Sequence, residues 1–327
     1  RDASQAAPRV NLLTANLHDE SPMCSERIIR EAVARDLGVS VAAEEDLLRV
    51  TRLDINDMAV SDLSFLARLP QLVHLAAART QVSDVGPLAG LTQLTKVALS
   101  GTRITDLAPV VALRKLGALS VQHTAVTDLT PLASLCDIYD LWVDHTAVAD
   151  LGPLSGLASL NMLSAGDTPV SSLAALALIP ALTRLYVSNT AVADLSSLAE
   201  CGLLIDLHVA GTRVSDLSPL RDLTFLRELG AWETPVSDLS PLRSLANLQE
   251  LYLSGTQIRD LTPLADLANL EALDIAGSPV TDPAPLLGLR RLELLFVDEG
   301  QYEQPGFVEF RRQRWDIGIQ VLRRATD

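Results

Sequence analysis

A constant period of 22 residues constrains this chain more than any other feature of its sequence. Threonine recurs at that step from Thr80 to Thr256, Ser278 continues the series, and no insertion or deletion interrupts it. A fixed period between about 20 and 50 residues is typical of stacked repeats, in which each unit packs only against its neighbours. The period therefore predicts one solenoid, whereas a length of 327 residues alone would suggest two globular domains.

Each repeat follows the pattern L-x-x-L-x-V-x-x-T-x-V-x-D-L-x-P-L-x-x-L-x-x. Its L-x-V segment alternates with period two, which predicts a short β-strand whose aliphatic side chains point inward. Twelve such pairs predict twelve parallel strands, and the pairs are Leu53/Ile55, Leu75/Ala77, Val97/Leu99, Leu119/Val121, Leu141/Val143, Leu163/Ala165, Leu185/Val187, Leu207/Val209, Leu229/Ala231, Leu251/Leu253, Leu273/Ile275 and Leu295/Val297.

Two polar positions recur along the repeats and are interpreted as parts of the scaffold. The threonine hydroxyl at the turn can satisfy buried backbone groups, and stacked copies would form an internal ladder. The aspartate, as at Asp128 and Asp260, precedes L-x-P-L. This position suits a carboxylate that accepts a backbone N–H at the start of a short helix, with proline in the first turn. Ser172 replaces the aspartate once and can still accept that bond.

The repeat resembles the 22-residue leucine-rich repeat of bacterial internalin-like proteins, with threonine where that family usually has asparagine. The segment SERIIREAVARDLGVSVAAEEDLLRVTRLDI, residues 25–55, is also similar to the helical amino-terminal cap of such proteins. The resemblance implies an α/β solenoid. This is a curved right-handed superhelix with a parallel β-sheet on its concave side and short helical or 3₁₀ turns on its convex side.

The chain is expected to divide into four regions. Residues 1–24 are predicted to be a poorly ordered segment and residues 25–49 a helical amino-terminal cap. Residues 50–300 form the solenoid, and residues 301–327 form a carboxy-terminal cap. Caps are needed because a terminal repeat would otherwise expose its apolar core to water.

The two caps differ from the repeat in their apolar pattern. An apolar stripe predicts the buried face of the first helix, and its members are Ile28, Ile29, Ala32, Val33 and Leu37. At the other end we expect a helix near Gly306–Arg314 and a strand near Ile317–Leu322. Three aromatic residues are predicted to seal the core there, namely Phe307, Phe310 and Trp315. A basic cluster is interpreted as a solvated helix face in preference to an anion site, and it comprises Arg311, Arg312 and Arg314.

The residues that alternate with the inward pairs face out on the concave side, and their chemistry is uneven. Aromatic residues form only 4% of the chain, yet several fall on this face between residues 140 and 299, together with many carboxylates. Exposed aromatic side chains on a rigid surface are typical interface hot spots. The alternative is that these aromatic side chains only cover the sheet and have no binding role. The predicted partner-binding residues are Trp142, Tyr186, His208, Trp232 and Tyr252, ringed by Asp140, Asp144, Asp206, Glu228 and Glu250.

The net charge of −15 argues against nucleic acid or an anionic membrane as a partner. It favours a basic protein or peptide, although solubility alone is an alternative explanation. No apolar run reaches the length of a membrane span. The sequence leaves the oligomeric state open, and it leaves open whether this bacterial-type protein is cytoplasmic or exported.

Catalysis and metal binding find little support in the sequence. Asp206 and His208 share one strand face, but no serine or cysteine nucleophile accompanies them. His123 and His145 occupy one turn column beside Asp144, and we interpret them as surface histidines. The three cysteines show no metal or redox spacing. We therefore expect a non-enzymatic protein without a cofactor or a metal.

The sequence favours a protein-interaction module that binds a protein or peptide, with a basic patch, on its concave face. An inhibitor or immunity-type protein, or an exported effector or adhesin, would fit this description. Two alternatives stay open. One is a glycan-binding receptor, because aromatic rings beside carboxylates also suit sugars. The other is the recognition domain of a larger effector enzyme.

Overall fold

A computed structural model describes residues 22–40 and 43–322 of the chain. These residues form one sheet of 13 parallel strands, and the strands follow one another in sequence order. The predicted poorly ordered segment falls almost entirely on residues 1–21, which lie outside the described ranges. The division into four regions stays a prediction.

The strands are short, and each three-residue strand from β1 to β11 keeps its middle residue inward. Residues 22 positions apart pair across neighbouring strands from β1 to β12, as Arg52 pairs with His74. The strands are β1 Arg52–Asp54, β2 His74–Ala76, β3 Lys96–Ala98, β4 Ala118–Ser120, β5 Asp140–Trp142, β6 Met162–Ser164, β7 Arg184–Tyr186, β8 Asp206–His208, β9 Glu228–Gly230, β10 Glu250–Tyr252, β11 Ala272–Asp274, β12 Leu294–Asp298 and β13 Gly318–Leu322.

The opposite side of each repeat carries a 3₁₀ helix. The aspartate two residues before the first N–H of the helix accepts a hydrogen bond from it, as Asp84 Oδ1 does from Gly86 N at 2.7 Å. Ser172 Oγ accepts the equivalent bond from Ala174 N at 3.3 Å. Eleven such helices lie within the described residues: Ser64–Arg68, Gly86–Gly90, Ala108–Ala112, Thr130–Leu132, Gly152–Gly156, Ala174–Leu178, Ser196–Glu200, Ser218–Leu220, Ser240–Ser244, Thr262–Leu264 and Ala284–Gly288.

The recurring threonines are buried and satisfy backbone carbonyls, as the sequence predicts. Thr146 is 7% exposed, and its hydroxyl donates to the Val143 carbonyl at 2.6 Å. The same oxygen lies 3.5 Å from Val148 N, as an acceptor. Every member of the series donates to the carbonyl three residues earlier in its own repeat, and Ser278 does so too, at 2.6 Å. The hydroxyl therefore closes the turn that follows each strand.

The turn column that follows each strand often adopts the left-handed backbone conformation. Glycine occupies it at Gly255, where φ is 68°, while Glu233 holds the same position with φ of 56°. A non-glycine residue there costs on the order of 1 kcal/mol. The repeat therefore tolerates some strain at the rim of the sheet.

One continuous apolar core runs from Ile29 to Ile317. Helix α1, Pro22–Leu37, packs against β1, and the short helix α2, Glu44–Leu47, follows it. Ile29, Ala32 and Val33 are buried as predicted, and Ile28 is partly buried against the core. Leu37 is 40% exposed, so its inclusion in the buried stripe was wrong. It ends the helix just before Gly38, whose φ of 69° turns the chain away.

After β12 the chain forms α3 Glu299–Tyr302, α4 Pro305–Gln313 and the edge strand β13. Phe307 and Phe310 are buried at 1% and 2% exposure. The prediction that Trp315 seals the core is wrong, because its side chain is 85% exposed. Trp315 lies in the turn between α4 and β13, and Ile317 takes the inward position beside it.

The prediction of a solvated Arg314 is also wrong. This side chain is 9% exposed and lies 3.0 Å from the Asp316 carboxylate. Its guanidinium donates to the carbonyls of Leu286 at 3.3 Å and Leu289 at 3.0 Å. A planar group with five donors suits several carbonyls at once. Arg314 therefore satisfies backbone acceptors of the last convex turn.

No helix in the described part of the chain is long and apolar enough to cross a bilayer.

Substitution of Thr146 by valine should lower the free energy of unfolding by about 1–3 kcal/mol, because it leaves the Val143 carbonyl buried without its donor. Urea denaturation followed by circular dichroism measures this loss. Thr127→Val is the matched control, since Thr127 is exposed in the following turn. Equal stability of the two variants would contradict the role assigned to the threonine series.

Candidate binding site on the concave face

Four rings from consecutive repeats form a row on the concave face. We call Tyr186, His208, Trp232 and Tyr252 the aromatic row. The ring centroids are 5.1 Å apart between Tyr186 and His208, 5.7 Å between His208 and Trp232 and 6.4 Å between Trp232 and Tyr252. The last two contacts are edge-to-face, a geometry that aromatic pairs prefer. Each ring of the aromatic row therefore packs against the next.

Gly230 makes room for the ring of Trp232. It occupies the register position between His208 and Tyr252 on β9. A Cβ atom there would lie 2.5 Å from the Trp232 ring and 2.7 Å from His208 Nδ1. The missing side chain thus lets Trp232, two residues later, fold back into the row. The sequence pattern alone does not reveal this role of Gly230.

A column of carboxylates runs beside the row. Asp206, Glu228 and Glu250 pair with one another in register on β8, β9 and β10, and we call them the acidic column. Glu228 Oε1 lies 2.9 Å from His208 Nε2, and the Tyr252 hydroxyl donates to Glu250. These contacts fix two rings of the row and leave negative charge concentrated beside them.

Burial raises the pKa of several side chains on this face. It raises the pKa of Asp206, and Glu250 adds to the effect by repulsion, although Arg184 opposes it. Burial, and next the hydrogen bond to Glu250, raise the pKa of Tyr252. Burial likewise raises the pKa of Asp274, which pairs in register with Tyr252. The face therefore holds carboxylates whose charged form is poorly solvated, and a cation from outside would stabilise them.

The three other predicted residues lie apart from the row. Asp140 and Trp142 belong to β5, and Ser164 on β6 separates Trp142 from Tyr186. Two strand spacings amount to about 10 Å. The structure therefore brings together seven of the ten predicted residues, and Asp140 and Trp142 border a cavity nearer the amino terminus.

The carboxylate of Asp144 is already hydrogen-bonded to neighbouring residues. Its carboxylate accepts hydrogen bonds from Gln122 Nε2 at 2.7 Å, Ser164 Oγ at 2.6 Å and Gly166 N at 3.0 Å. These bonds cross three adjacent repeats. Asp144 thus stabilises the middle of the sheet and offers less to a ligand than its place in the sequence column indicates.

Two further histidines and a cysteine lie outside the aromatic row. The His123 and His145 rings are stacked with centroids 4.2 Å apart. In residues 22–40 and 43–322, no group of three histidine, cysteine or acidic side chains could hold a metal ion. Cys201 is buried in the core, and burial raises the pKa of its thiol to about 11.

Comparisons with known proteins agree with this architecture. A family model for leucine-rich repeats, two copies, matches residues 246–288. No curated protein matches the sequence.

Several solved structures are similar along most of the chain. An internalin (inlF) of Listeria monocytogenes is 24% identical, with a TM-score of 0.81 over 96% of this chain and 95% of its own. Internalin C2 of the same organism is 30% identical, with a TM-score of 0.61 over 62% of this chain and 92% of its own. A leucine-rich-repeat protein of Leptospira interrogans is 16% identical, with a TM-score of 0.73 over 86% and 81%.

Substitution of Gly230 by alanine should push the Trp232 ring out of the row. In a protein whose only tryptophan is Trp232, made by Trp142→Phe and Trp315→Phe, the emission should shift to the red. Stability should change by less than about 1 kcal/mol, because the atoms displaced belong to partly exposed side chains. Gly90→Ala is the control, since a Cβ there meets nothing within 4 Å. An unchanged spectrum for Gly230→Ala would show that the row does not depend on this glycine.

Substitution of Asp206 by asparagine should stabilise the fold at neutral pH. Burial raises the pKa of Asp206 in the folded state. The charged carboxylate therefore lowers the free energy of unfolding. This loss of stability is absent below the ordinary pKa of 3.8 and develops as pH rises through the raised pKa. Thermal melts of the variant and wild type should converge in acid.

Asp216→Asn should have the opposite effect on stability, because hydrogen bonds from Ser218 lower the pKa of Asp216. That variant should be less stable than wild type at neutral pH and approach it in acid. An Asp206→Asn protein that is less stable at neutral pH would contradict the burial argument.

Proposed function

The chain belongs to the leucine-rich-repeat proteins of the 22-residue, internalin-like type, and we propose that it binds a basic protein or peptide across β7–β10 of its concave face. The fold is that of a protein-interaction module. The proposal concerns where the partner binds and which charge the partner carries. The observation that carries it is the aromatic row lying directly beside the acidic column.

Rigidity supports binding at this place. Three of the rings, Tyr186, His208 and Tyr252, stand on strands whose backbones pair on both sides. Contacts with carboxylates hold two of these rings, His208 and Tyr252. A surface that is already ordered loses little conformational entropy when a partner docks. Tyrosine and tryptophan in such surroundings are the side chains that usually dominate binding energy.

Charge supports a basic partner. Three carboxylates follow one another at intervals of about 4.8 Å on β8, β9 and β10. Arg184 on β7 is the cation next to them in the same register. Charge of one sign on a concave surface accelerates encounter with the opposite sign and discourages like-charged competitors. An arginine or lysine of the partner would complete the arrangement.

The chemistry supports binding in preference to turnover. His208 directs Nε2 to Glu228, and the Tyr252 hydroxyl is bonded to Glu250. Neither contact forms the pair of nucleophile and base that covalent catalysis requires. Covering a basic protein, as an inhibitor or an immunity-type protein does, or attachment as an exported effector or adhesin, would use this face without further groups.

Parallel capture from an extract tests the proposal. Wild type and a Trp232→Ala, Tyr252→Ala double variant serve as baits, and proteins retained only by wild type are identified. In titrations of the purified interactor, each truncation should weaken binding by about 30-fold, or about 2 kcal/mol. Glu228→Lys and Glu250→Lys should mainly slow association and reduce its dependence on salt.

Phe225→Ala is the matched aromatic control, because Phe225 is 55% exposed in the turn before β9. An interactor that tolerates the double variant but is lost on Phe225→Ala would overturn the proposal. A neutral glycan whose binding requires Trp232 but does not vary with salt would assign the face to sugar recognition instead.

A further inference from the structure

We infer that the amino-terminal end of the concave face is a second binding site, which takes a peptide segment bearing one or two acidic side chains. This site lies on β1–β5, away from the aromatic row, and its lining includes two cations, Arg52 and Lys96. It goes beyond the proposed function because none of its residues belongs to the row or to the acidic column.

A cavity of about 690 Å³ marks the place. It is bounded by the end of α1, with Val33 and Leu37, and by Trp142 on β5. Its floor consists of small residues from adjacent strands, which give it depth, and they are Ala76, Ala98, Ala118 and Ser120. The volume is within the usual range of about 300–1,000 Å³ for ligand sites.

Two unpaired cations converge on this cavity. Arg52 and Lys96 line it from β1 and β3, on either side of His74 on β2. Neither cation has a hydrogen-bond or ion-pair partner within residues 22–40 and 43–322. By contrast, Arg79 is paired with Asp57 at 2.5 Å. Arg52 and Lys96 are therefore free to receive an anion.

The two cations also affect the pKa of His74, which lies between them on β2. Burial, and next the charges of Arg52 and Lys96, lower the pKa of His74. Its ring is thus uncharged near neutral pH and can donate a hydrogen bond from one nitrogen. An arriving carboxylate would meet a guanidinium fork, an imidazole and an ammonium group in successive strands.

The lining also limits the ligand to a short acidic segment. Asp36 is bonded to Arg35 at 3.3 Å, and Asp54 accepts from Asn56 N at 3.0 Å. Asp140 closes the far side with negative charge. A long polyanion would meet these carboxylates and the net charge of −15. One or two carboxylates would meet fewer of these side chains, and most of the remaining charge of the chain lies beyond the screening length of about 8 Å at physiological salt.

An extended peptide matches the spacing of the cations. Arg52 and Lys96 are two strands apart, or about 10 Å, and alternate side chains of an extended chain are about 7 Å apart on one face. Glutamate side chains can bridge the difference, and their methylene groups suit the alanine floor. Two glutamates separated by one residue therefore form the simplest probe.

Single-tryptophan fluorescence tests the inference. The chain has three tryptophans, so Trp232→Phe with Trp315→Phe leaves Trp142 at the cavity wall as the only reporter. Titration with acetyl-Glu-Gly-Glu-amide should change its emission saturably. Acetyl-Gln-Gly-Gln-amide should produce no change. Arg52→Ala with Lys96→Ala should weaken the response at least 10-fold, whereas Arg213→Ala with Arg259→Ala, which removes two exposed arginines elsewhere, should leave it intact.

Three results would overturn the inference: no response to the glutamate probe, an equal response to the glutamine probe, or a response that survives Arg52→Ala with Lys96→Ala. Free acetate forms a further arm, and an equally tight response to it would assign the cavity to small carboxylates instead. The complementary reporter, Trp142→Phe with Trp315→Phe, is titrated with acetyl-Arg-Gly-Arg-amide. Its Trp232 response tests the proposed function alone, so either claim can fail without the other.

Discussion

The pairing of residues 22 positions apart is the constraint on which the rest of this structure depends. Each strand pairs in parallel with the next in an unchanged register from β1 to β12. A parallel sheet places residues with the same repeat position side by side at about 4.8 Å. The period therefore stacks the leucines into one core and the buried threonines behind each strand. It also turns the variable positions into continuous surface columns, where the acidic column and the aromatic row arise.

The repeating part of the fold could be predicted from the sequence because every repeat reports the same environment. The core pairs and the threonine series followed from spacing alone. The errors fall where the environment occurs only once. Trp315 is exposed and Arg314 is buried, because the last turn needs donors for its carbonyls and no repeat pattern announces that need. Asp144, Gly230 and the cavity beside α1 depend on side-chain volumes and hydrogen bonds in three dimensions, which a column of letters does not contain.

The concave face changes character along its length. Unpaired cations border the cavity at β1–β3, a hydrogen-bonded polar network around Asp144 crosses the middle, and the acidic column occupies β8–β10. The acidic end is unfavourable for folding, since burial raises the pKa of Asp206 and of Asp274. Charge kept at a cost in stability is typical of functional surfaces. On both proposals together, one partner could span the face with its acidic segment near β2 and its basic segment near β9, about 34 Å or some ten extended residues away.

Hydroxyl-radical footprinting of the wild-type chain with a captured partner tests the central claim most directly, because it reads side chains without altering them. The account predicts that Tyr186, Trp232 and Tyr252 become protected in the complex. Trp315 and Phe225, which are 85% and 55% exposed, should be oxidised as fast as in the free protein. Protection of Trp315 or Phe225, with the aromatic row oxidised as before, would place the partner elsewhere and contradict the account.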